Sequence, residues 1–98
     1  MSVYVVNRLK FSVPVSQVTP DVQEHFPAVF DDGVGFERFA FVQVADDEAF
    51  ALIQWDTAEH AQADAARIGP TLFNEYLTPH VVSQDRLVGP AVVLHAPS

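Results

Sequence analysis

The chain is 98 residues long, with 49% hydrophobic, 11% aromatic and only 18% charged residues. Thirteen acidic residues against five basic ones give a formal net charge of −8, which argues against nucleic acid or an anionic membrane surface as a partner. There is no cysteine, so disulfide stapling, thiolate catalysis and cysteine-ligated metal are excluded.

A chain this short holds one core, and a single domain over residues 1–98 is expected. So few charged groups leave little polar material to cover the surface, which points to self-association. The first strand begins almost at the initiator Met, and Asn7, Arg8 and Lys10 interrupt any longer apolar stretch. The expectation is therefore no signal peptide, no membrane span and a cytoplasmic location.

In chain order, Val3–Phe11 alternates as a strand. One face carries Val3, Val5, Asn7, Leu9 and Phe11, the other Tyr4, Val6, Arg8 and Lys10. Asn7 is the anomaly, because an amide among branched aliphatics needs partners or costs about 1–3 kcal/mol. Thr19-Pro20-Asp21 reads as a helix start, followed by a core stripe of Val22, Phe26, Val29 and Phe30. Pro27 is expected to shorten or bend that helix, and Asp31-Asp32-Gly33-Val34-Gly35 to end it. Phe36–Ala45 and Ala49–Trp55 form a hairpin around Asp46-Asp47. Asp56 with Glu59 resembles a capping box opening an alanine-rich helix over 57–68. Gly69-Pro70 is expected to break it before a short helix over 71–77, and Gly89-Pro90 to precede a last strand, Ala91–His95.

The order strand, helix, strand, strand, helix, strand predicts a ferredoxin-like α+β fold, an antiparallel sheet with both helices on one face. The Asn7 face of the first strand, the more apolar one, is expected under the helices. Tyr4 and Val6 then belong to the open face.

Val5-Val6-Asn7-Arg8-Leu9 at the start, Gln54-Trp55-Asp56 before the second helix and Leu87-Val88-Gly89-Pro90 near the end resemble the antibiotic biosynthesis monooxygenase superfamily. The resemblance implies a dimeric α+β barrel in which each subunit holds a pocket between sheet and helices. One activity it implies is oxygenation of phenolic or quinol-like compounds by dioxygen without flavin or metal, and another is heme binding and degradation. In both, a first-strand Asn contributes to the pocket, and Asn7 matches that position. The heme-degrading pattern also needs a Trp late in the second helix and a His on the following short helix. Here the corresponding stretches offer Arg67 and Phe73, Asn74, Glu75, Tyr76 and Leu77.

Asn7 has two readings: a pocket residue that orients a small aromatic ligand, or a structural amide bonded to Gln43, a turn or a buried water. Trp55, Phe26 and Phe73 are core aromatics and candidate pocket lining. His80 is the imidazole nearest the expected pocket mouth and a candidate base. Arg67 suits the C-terminal dipole of the second helix, and Tyr76 a surface hydroxyl; both are candidate stabilisers of a substrate anion. His60 and Asp64 stand one helical turn apart, a spacing expected by chance among thirteen acids, and no metal site is assigned. No Ser–His–Asp order, phosphate loop or close carboxylate pair is present. The leading reading is a cofactor-independent monooxygenase. Its alternatives are a non-catalytic ligand-binding or structural dimer and a heme-binding protein.

Overall fold

Alternation along Val3–Phe11 (β1) buries Val3, Val5, Asn7, Leu9 and Phe11 and leaves Arg8 and Lys10 in solvent. In this computed structural model, which describes residues 1–97, β1 leads into α1 (Val15–Asp31), β2 (Phe36–Ala45), β3 (Glu48–Trp55) and α2 (Ala58–Ile68). A π-helical segment (Gly69–Leu77) and a 3-10 turn (Thr78–His80) follow, then β4 (Val81–Pro90). The strands form one antiparallel sheet in the order β2-β3-β1-β4. This is the ferredoxin-like α+β fold that the alternation and the two helical stripes predict.

Four local expectations are corrected. α1 begins at Val15 behind Pro14, one turn before Thr19-Pro20, so Thr19 is no cap and bonds the Val15 carbonyl at 2.8 Å instead. The buried series Val15, Val18, Val22, Phe26 and Phe30 carries the helix through both Pro20 and Pro27. Each proline is exposed, and the carbonyls it leaves without a donor, at Ser16 and Gln23, belong to exposed residues that water reaches.

At α2 the cap is Thr57, whose hydroxyl accepts from the His60 amide at 3.1 Å. Asp56 bonds the His60 ring instead, at 2.6 Å. The α-helix ends at Ile68, before Gly69-Pro70 as expected, and the chain goes on as the π-helical segment. Gly69 keeps right-handed helical angles, and the proline enters the first turn of the wider segment, where its missing N–H costs little. Finally, the fourth strand lies before Gly89-Pro90, not after it: Val81–Pro90 pairs with β1, while residues 91–97 form no strand. Pairing with β1 is what makes this weakly alternating stretch a strand.

The core joins the inner face of β1 and β3 to α1. Phe26 and Phe30 are fully enclosed, with Phe30 stacked on Phe36 at 5.3 Å and edge-on to Trp55 at 6.5 Å. Gly35, at φ 80, turns the chain from α1 into β2, a conformation that costs an L-residue about 1–2 kcal/mol. A Cβ there would also run into Asp56 and His60. Among the described residues no helix is long and apolar enough to cross a membrane.

Candidate functional site

A hollow of about 270 Å³ lies between the sheet and α2 with the π-helical segment that follows it. Its floor is β1 and β3, through Val5, Asn7, Ile53 and Trp55. Its roof is α2, which presents Ala61 and Ala65 one turn apart, and then Ile68. These alanines leave the space open, since methyl groups cannot reach the sheet where larger side chains would fill it. Gly69, Phe73, Asn74 and Thr78 form one side of the mouth, and Gln84 and Arg86 of β4 the other.

Asn7 is 3% exposed and projects into this hollow. Its Oδ1 accepts from Gln84 Nε2 at 3.4 Å, a long bond. The amide nitrogen has no recorded partner among the described residues. Among the described residues no fully enclosed side-chain donor or acceptor is left unpaired, so this nitrogen keeps access to the open space. The structural partner is Gln84 rather than Gln43, which is exposed on β2. Cross-strand register explains the difference: on one face of β4, Arg86 stands directly opposite Asn7 and Gln84 stands next along, opposite Leu9.

Of the residues singled out from sequence, Asn7, Trp55 and Phe73 line the hollow. Phe26 does not. It is fully enclosed between α1 and the sheet, packed on Phe30, Phe39 and Phe73 at 5.5–6.1 Å. Arg67 points away, toward α1: Nε and Nη2 bind Asp64 Oδ1 and Oδ2 at 2.7 and 3.0 Å, and Nη2 also reaches the Val29 carbonyl at 2.8 Å. Tyr76 stacks on His25 at 4.3 Å and 9°. Partial burial, with the neighbouring Glu75, Asp21 and Glu24 carboxylates, raises its phenol above the ordinary value, so it stays protonated near neutrality. His80 lies outside the lining, at the end of the 3-10 turn, and its carbonyl accepts from the Ser12 amide at 2.7 Å.

The hollow's polar lining is therefore amide, hydroxyl and guanidinium, from Asn7, Gln84, Asn74, Thr78 and Arg86. Sequence reading missed Gln84 and Arg86 because it placed the last strand beyond Gly89-Pro90, and Ser83-Gln84-Asp85-Arg86 carries no alternation that would signal a strand. His60 and Asp64 are engaged separately, with Asp56 and Arg67. Asp21, Glu24 and His25 bring ligand atoms within 4.8 Å of one another on α1, an arrangement that the His25–Tyr76 stack and solvated carboxylates account for.

No family model matches the sequence, and no curated protein matches it. Solved structures do match. SnoaB, a cofactor-independent oxygenase from Streptomyces nogalater, is 17% identical over 99% of this chain and 98% of its own, with a TM-score of 0.78. A mutant of MhuD with two manganese protoporphyrin IX molecules bound per active site is 15% identical over 97% and 99%, with a TM-score of 0.76. A dimeric ferredoxin-like protein from an uncultured marine organism is 12% identical over 99% and 100%, with a TM-score of 0.79. At these identities the likeness is one of fold. The chain has the fold of the antibiotic biosynthesis monooxygenase superfamily, in agreement with the motifs at its first strand and second helix.

Proposed function

We propose that this protein is a homodimeric monooxygenase that oxidises a small aromatic, quinol-like substrate with dioxygen and no cofactor. The observation that carries the reading is the hollow itself: an apolar chamber with one deep amide, Asn7, whose nitrogen is free to meet a ligand. Its volume suits one or two fused rings. Asn7 orients the substrate oxygen, and Ile53, Trp55 and Ile68 hold the ring away from water.

Among the described residues no carboxylate or imidazole lines the chamber, so the substrate must be acidic enough to lose its phenolic proton to water at the mouth. The resulting anion is the reductant. In the balanced reaction the substrate loses two hydrogens, one from the attacked ring carbon and one from its hydroxyl, and that carbon gains one oxygen atom. The other oxygen atom leaves with those hydrogens as water, and all four electrons come from the substrate.

A heme reading fits these residues poorly. Heme iron takes His, Cys, Met or Tyr as its protein ligand, and none of these lines the hollow.

The homodimer is supported by the open face of the sheet. There Ala40, Leu52, Val6 and Leu87 stand side by side across all four strands, with Leu87 66% exposed. An apolar row of this kind suits a second sheet.

The test is oxygen uptake with a panel of quinols. Uptake in the native protein, lost in Asn7→Ala with the circular dichroism unchanged, supports the reading. Ligand binding without uptake from any quinol overturns it in favour of a non-catalytic binding dimer.

A further inference from the structure

Among the described residues Arg86 is the one charged side chain that lines the hollow. Of the five basic residues, Arg8 and Arg67 are held by Glu48 and Asp64. Arg86 has no ion pair or hydrogen bond among the described residues. It sits on β4 directly opposite Asn7, on the same face of the sheet, so the guanidinium and the deep amide address one space. Asn7 is enclosed and Arg86 is exposed at the rim, which sets them at different depths.

The charge around the hollow is distributed unusually. The chain carries thirteen acidic residues, yet none of them lines it. Asp85, the nearest in sequence, belongs to the opposite face, across from Arg8. A cation, amides and a hydroxyl around an apolar floor are complementary to an anion with a flat apolar body. The net charge of −8 acts against any anion that approaches. An anionic ligand is therefore held only by local contact, and Arg86 is the side chain that supplies the charge.

We infer that Arg86 is a specificity residue that reads a carboxylate, so that the substrate class is a hydroxylated aromatic acid. The ring lies against Ile53, Trp55 and Ile68, its hydroxyl meets the Asn7 amide, and its carboxylate takes two parallel N–H bonds from the guanidinium at the mouth. This inference rests on the hollow being the ligand pocket, as proposed above, but not on the oxygenation.

Anaerobic calorimetry near neutral pH tests it with two probes, a hydroxynaphthoate and the naphthol that lacks its carboxylate. The native protein is expected to bind the naphthoate about tenfold more tightly, the increment of one charge-assisted bidentate pair. In Arg86→Gln that preference is lost or reversed, and Arg86→Lys, which keeps the charge without the fork, retains part of it. Equal affinity for both probes, or a preference that survives Arg86→Gln, overturns the inference and leaves the pocket reading standing. Binding of neither probe overturns both.

Discussion

The Asn7 carboxamide oxygen accepts from Gln84 at 3.4 Å, a bond that spans β1 and β4 and aims the amide into the hollow. An amide spent on architecture would be fully paired. This one keeps a donor in reserve.

That reserve separates stability from activity. Leu keeps the branched skeleton of Asn with methyl groups in place of the amide oxygen and nitrogen, the hollow has room for them, and the exposed Gln84 turns to water when its partner goes. Asn7→Leu is expected to unfold in urea within about 1 kcal/mol of the native protein. Oxygen uptake in the same variant should fall about a hundredfold, as when a positioned donor to a reacting oxygen is removed. A parallel loss of stability and activity would show instead that Asn7 is structural.

The Arg67–Asp64 pair ties α2 to the end of α1. Its carboxylate side chain is only 9% exposed and receives a two-pronged guanidinium, which also bonds the Val29 carbonyl. Arg67→Ala strands that carboxylate and should cost about 2 kcal/mol, less than a fully buried pair because Arg67 is partly in solvent. Replacing both residues should cost less than the sum of the single changes, read from a double-mutant cycle in urea. Additive costs would mean that the pair contributes no coupling.

Asp56 predicts a pH dependence. Its hydrogen bond from the His60 ring holds its carboxyl below the ordinary value of 3.8. A carboxyl lowered on folding contributes stability that is complete above the unfolded value and is lost as pH falls through the folded one. Melts from about pH 5 down to about pH 2 should therefore show Asp56→Asn converging on the native protein at the acid end. Curves that stay parallel throughout would rule out this linkage.

The open face of the sheet predicts the assembly. Leu52 lies between Val6 and Ala40 in the middle of the apolar row, so a charge there meets the partner sheet without entering the core. Light scattering of the native protein should give about twice 10.8 kDa, and Leu52→Lys should give the single-chain mass with the fold intact. A native monomer at micromolar concentration would remove the basis for a barrel built from two sheets.

How much of this was readable from residues alone follows from the range over which each signal acts. Side-chain parity in β1 is local, so the burial of Asn7 beneath the helices could be read directly, as could the order of strands and helices. The start of α1 could not, because Thr19-Pro20 resembles a cap until Val15 and Val18 are seen to be buried. Nor could β4, since Ser83-Gln84-Asp85-Arg86 lacks alternation and becomes a strand only against β1. The hollow is the furthest from the sequence. Ala61 and Ala65 look like ordinary helix formers, and only their position above Asn7 and Ile53 makes them the reason for a space. Periodicity assigns each segment its faces, whereas the meeting of Asn7, Gln84 and Arg86 depends on a strand pairing some eighty residues apart, which no local pattern encodes.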